Sequence, residues 1–129
     1  MKEQFVTYEI ALKLKELGFD EECFGRYEGT DYYLEKWNGV KLEPTHTTSQ
    51  NTFSWQLAST PLWQQVIDWF REKHNIWIQI EMQYYDGITY TYTIIQNNGK
   101  VIKSEEEFHE YYEAREQAIL KAIELCKKQ

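Results

Sequence analysis

The chain has 129 residues, with 14 Lys plus Arg against 21 Asp plus Glu, a formal charge of −7, and an aromatic content of 16%. That length fits one domain spanning 1–129, which can build a core without disulfides or a metal. The acidic balance argues against nucleic acid and against anionic membrane surfaces, since both are held mainly by Lys and Arg.

In chain order, Thr7 can cap a helix over Tyr8–Leu17, with Ile10, Ala11, Leu14 and Leu17 on one side at spacings of three and four. Gly18 suits the left-handed position after its end, and Phe19 can fold back on the last turn. Residues 20–31 read as an acidic loop with a short strand at Phe24–Tyr27. Tyr32–Trp37 and Val40–Glu43, joined by Asn38-Gly39, read as a hairpin, because Asn-Gly between β-prone runs favours a tight turn. His46–Thr52 is a polar loop.

Thr60 and Pro61 then mark a helix start. The helix runs from Leu62 to about His74, carries Trp63, Val66, Ile67 and Phe70 on its apolar side, and can end on a left-handed Asn75. Two strands follow. Ile76–Tyr84 sets Ile76, Ile78, Ile80, Met82 and Tyr84 against Trp77, Gln79, Glu81 and Gln83, and Ile88–Ile95 sets Ile88, Tyr90, Tyr92 and Ile94 against threonines. A two-residue Asp86-Gly87 turn would place the apolar row opposite the threonines. A three-residue Tyr85-Asp86-Gly87 loop pairs Tyr84 with Ile88, Met82 with Tyr90, Ile80 with Tyr92 and Ile78 with Ile94, which leaves one buried face. By the same parity Asn97-Asn98-Gly99 pairs Ile94 with Ile102 and extends the meander to about Lys103. The last helix starts either at Ser104, through a capping box with Glu107, or near Tyr111, and carries Ala114, Ala118, Ile119, Ala122, Ile123 and Cys126 at helical spacing.

The expected fold is therefore α+β, an antiparallel sheet with helices packed on one face in the order α-β-β-α-β-β-β-α. The segments Pro61–His74, Tyr112–Ala118 and Ala11–Phe19 resemble a family of small uncharacterised proteins of phages and bacterial mobile elements. The resemblance covers most of the chain. It implies a phage or prophage context and the later start for the final helix. The family has no assigned activity, so it supplies no catalytic residue.

The chemistry-bearing residues are sparse. His46, His74 and His109 lack metal-ligand spacing, Cys23 and Cys126 lack a CxxC or zinc pattern, and there is no Gly-rich phosphate loop. Neither a cofactor nor a metal is expected. The two cysteines read as reduced thiols, and a disulfide between them would need an oxidising compartment. Met1–Phe5 lacks the apolar stretch of a signal peptide, so the cytoplasm is the expected location. Five tryptophans and ten tyrosines exceed what one small core needs. The first reading of function is accordingly a non-enzymatic accessory protein that binds a protein partner through Trp77, Gln79, Glu81, Tyr85 and Trp37. The alternative is a small-molecule-binding protein or enzyme with a cleft near residues 44–59, where His46, Trp55 and Glu81 would act. A second alternative is single-stranded nucleic acid stacked on the open sheet face. A sheet edge could also pair with a second copy of the chain.

Overall fold

The computed structural model describes residues 4–21, 23, 25–28, 31–34, 57–59 and 61–128, the strands within 25–59 by their backbone alone. Its element order is α1 (Tyr8–Glu16), β1 (Gly25–Glu28), β2 (Asp31–Leu34), β3 (Leu57–Ser59), α2 (Trp63–His74), β4 (Trp77–Tyr84), β5 (Ile88–Ile95), β6 (Val101–Lys103) and α3 (Tyr111–Lys127). The α+β class is thus observed. The chain divides into two compact units, Met1–Trp63 and Gln64–Gln129.

In the first unit, Thr7 caps α1 as its spacing predicts, the hydroxyl accepting from the Ile10 N–H at 3.4 Å. Gly18 turns left-handed at φ +95°. Its N–H reaches the Lys15 carbonyl and that of Phe19 the Leu14 carbonyl, both at 3.0 Å, so two helix-end acceptors are satisfied and Phe19 is carried back into the core. Ile10, Ala11 and Leu14 form the buried side. The chain also pairs Phe5 with Leu62 and donates the Val6 N–H to the Pro61 carbonyl.

The expectation of one sheet is corrected here. The described strands form two three-stranded sheets, ordered β2-β1-β3 and β4-β5-β6. β1 pairs antiparallel with β2 through Gly25–Leu34 to Glu28–Asp31, and with β3 through Arg26–Ser59 to Glu28–Leu57. β3 is a described strand that the sequence pattern does not mark. The Asn38-Gly39 turn, the Val40–Glu43 strand and the polar loop lie outside the described residues, as does Thr60.

In the second unit α2 buries Val66, Trp69 and Phe70. Asn75 ends it at φ +53°, and the Ile76 N–H turns back to the Phe70 carbonyl at 3.1 Å. The meander has the register its parity dictates: Ile78–Ile94, Ile80–Tyr92, Met82–Tyr90 and Tyr84–Ile88, then Ile94–Ile102. Asp86 and Gly87 take positive φ in the first loop and Gly99 in the second. α3 lies along β4 and β5 on the Ile94 side, where Ala114, Ala118 and Ala122 are fully buried and let the helix come close.

α3 starts at Tyr111, with Glu110 at the cap position making no side-chain cap bond. Ser104 does not cap it. Its Oγ accepts from the Tyr92 N–H at 3.2 Å and its own N–H donates to the Tyr92 carbonyl, so the chain continues as a strand-like edge to Phe108, which bridges Tyr90. This late start overturns one expectation of burial. Met82, Tyr84 and Ile88 lie on the apolar face but are 64%, 79% and 50% exposed. Tyr111, the first helical residue, meets Tyr90 edge-on at 5.9 Å. The helix runs from there towards Ile94, and the hairpin extends beyond its cover.

Candidate functional site

The face of the meander opposite α3 carries the odd-numbered residues of β4. Trp77 pairs with Ile95, and Ile95 with Val101, so three apolar side chains form one row across three strands. They are 51%, 39% and 51% exposed. The Trp77 ring is held on two sides. Its Nε1–H donates to the Asn75 Oδ1 at 3.3 Å, and the Arg71 guanidinium stands 5.6 Å from the ring centre. Arg71 also pairs with Asp68 at 3.3 Å and Glu72 at 3.7 Å, so its charge is already compensated.

Of the residues the sequence singles out, Trp77, Gln79 and Glu81 share this face, Gln79 exposed and Glu81 half-buried. The Thr93 hydroxyl donates to the Glu81 carboxylate across the strand pair. Tyr85 sits apart from them in the β4–β5 loop, exposed to solvent. Trp37, His46 and Trp55, and with them most of the cleft expected near 44–59, lie outside the described residues. Ile95 and Val101 complete the row and Arg71 flanks it, three residues the sequence pattern does not single out. The signal for the first was present: Ile94-Ile95 breaks the alternation, so one of the two must face outwards.

A recess of about 260 Å³ opens elsewhere on this unit, among Tyr92, Ser104, Phe108, Gln117, Lys103 and Lys121. Tyr92 and Phe108 stack at 6.4 Å. Burial, then Glu105, Glu124 and Glu106, push the Tyr92 hydroxyl above its ordinary range. Glu105 and Glu106 also line it, and the Ser104 hydroxyl is engaged by the Tyr92 N–H. The His74 imidazole, stacked edge-on against Trp69 at 4.7 Å, is held below its usual value by burial. Among the described residues no group of three His, Cys, Asp or Glu side chains could hold a metal, and no helix is long and apolar enough to cross a membrane.

Neither cysteine forms a disulfide. Cys23 is buried and its thiol donates to the Glu21 carbonyl at 3.4 Å. Burial pushes the Cys126 thiol up to about 11. Only the thiolate is nucleophilic, and raising the pKa from 9.0 to about 11 cuts its fraction at pH 8 about a hundredfold. Iodoacetamide should therefore label Cys126 far more slowly in the folded protein than in urea, read by mass spectrometry. Equal rates would contradict the burial.

The structure thus defines an α+β protein whose second unit is an antiparallel meander backed on one face by a helix. No family model, no curated protein and no solved structure matches the chain.

Proposed function

We propose that this chain is a non-enzymatic binding module whose protein partner docks on the open face of the meander. The observation that carries the reading is the exposed Trp77–Ile95–Val101 row. Protein interfaces concentrate their energy in Trp, Tyr and Arg anchors at the centre of an apolar patch. Trp77 is such an anchor and is already oriented by Asn75 and Arg71, so docking costs little side-chain freedom. The formal charge of −7 would speed encounter with a basic partner. Stacked nucleic acid is less well supported, because Arg71 is neutralised by Asp68 and Glu72 and Glu81 lies on the same face.

The test is capture from nuclease-treated lysate with the tagged chain and with Trp77→Ala. The expected result is a stoichiometric partner retained by the native chain and lost by the variant, with circular dichroism unchanged. A native chain that is folded and monodisperse yet retains no protein overturns the proposal, as does a partner that Trp77→Ala holds equally well.

A further inference from the structure

The long edge of the meander is a different surface from its open face. β4 pairs only with β5 among the described strands, so its other side is an edge. The ladder fixes which groups point outwards. Tyr85 donates its N–H to Gly87 across the hairpin, and Gln96 pairs with Lys100 across the next. Counting back by twos, residues 77, 79, 81 and 83 turn their N–H and C=O groups to β5. Ile78, Ile80, Met82 and Tyr84 turn theirs outwards, and none of these donors or acceptors has a backbone partner among the described residues.

Natural sheets protect such edges with lysine, proline, bulges or shortness. β6 is protected in this way, being three residues long and continued by the Tyr90–Phe108 bridge. β4 has eight residues, Trp-Ile-Gln-Ile-Glu-Met-Gln-Tyr, with no lysine, no proline and unbroken one-to-one pairing along its length.

We infer that β4 pairs antiparallel with β4 of a second copy of this chain, on a two-fold axis through Ile80, joining two meanders into one six-stranded sheet. Length and charge choose the register: an eight-residue strand overlaps its own copy most fully when the axis falls at Ile80 or at Glu81. Outward-pointing residues must face outward-pointing residues, so the axis passes through an even position or midway between two of them, at Glu81. An axis at Glu81 sets two carboxylates directly opposite each other, which is repulsive. An axis at Ile80 sets Ile80 against its own copy and Ile78 against Met82. On the other face Glu81 then meets Gln79, an amide that can donate to the carboxylate, and Trp77 meets Gln83. On the α3 face Ile80, Ile78 and Met82 meet apolar side chains, and on the open face the sole charge meets a donor. A second copy supplies that alternation by symmetry. The two-fold axis stands perpendicular to the sheet, so both α3 helices remain on one side and both Trp77 rows lie on the other. The edge joint involves backbone groups that the proposed partner-docking face does not use.

Sedimentation velocity of the full chain from micromolar to submillimolar concentration tests this. The expected result is a concentration-dependent shift from monomer to dimer and no further. Met82→Pro removes an outward N–H without touching the β4–β5 ladder, and Met82→Lys places a charge on the edge at an exposed position. Both should stay monomeric throughout that range, while Met82→Leu dimerises as the native chain does. If Met82→Pro loses its strand signal by circular dichroism, Met82→Lys decides. A native chain that is monomeric at every concentration overturns the inference, and so does a dimer that survives Met82→Lys or one that grows into open polymers. Capture through Trp77 can fail or succeed independently of these outcomes.

Discussion

Replacing Phe70 by alanine should cost about 3–5 kcal/mol, the range for removing a fully buried aromatic ring. Phe70 has no exposed surface, meets the Trp69 ring edge-on at 5.1 Å, and supplies the carbonyl that receives the Ile76 N–H where the chain leaves α2 for the meander. The loss removes apolar burial and leaves a cavity that Val66 and Ile76, themselves fully buried, cannot fill without leaving their own places. Domains of this size have about 5–15 kcal/mol to lose. Urea unfolding should show a midpoint far below that of the native chain. Phe70→Leu, which keeps most of the volume, should lose clearly less. If the two variants were equally destabilised, the ring would not be packed as described.

Ile94→Ala should cost about 2–5 kcal/mol, and Ile94→Val about 0.5–1.5. Ile94 is fully buried on the central strand, between Ile78 and Ile102 in register, under the helix that lies along β4 and β5. Its neighbour gives the contrast. Ile95 points to the open face and is 39% exposed, so Ile95→Ala should shift stability by about 0.5 kcal/mol or less while weakening capture of a partner in the same way as Trp77→Ala. Urea midpoints and capture yields for both variants separate folding from docking. A large stability loss at Ile95 would mean that the open face is covered.

The meander was legible because side-chain parity in a strand is strict. Five alternating apolar residues opposite four more exclude a two-residue loop, and Gly87 and Gly99 lie where a three-residue loop needs a left-handed residue. The ends of α1 and α2 were legible for a similar local reason, since Thr7, Gly18 and Asn75 each satisfy or terminate a helix by their own geometry. What was not legible depends on distant partners. β3 has three residues and no alternation of its own, and it exists by pairing with β1. Parity assigned Met82, Tyr84 and Ile88 to the apolar face but carried no information on how far α3 reaches over it. The start of α3 turned on Ser104, whose hydroxyl suits a helix cap and a strand edge equally, and the Tyr92 backbone decided between them. Trp77 was visible as an outward tryptophan, but the row it forms needed the positions of both Ile95 and Val101.

The meander's cover comes after its strands in chain order. During synthesis at about 5–20 residues per second, the stretch from Lys103 to the end of α3 at Lys127 takes about 1–5 s to make. A hairpin closes in about 1–10 μs. Hairpin closure is thus fast beside synthesis, and whenever the sheet closes before the final helix packs, Ile78, Ile80 and Ile94 stand uncovered. Any holdase that reaches the chain in that interval would find these three isoleucines, and a substitution that slowed docking of the helix would prolong their exposure without changing the sheet itself.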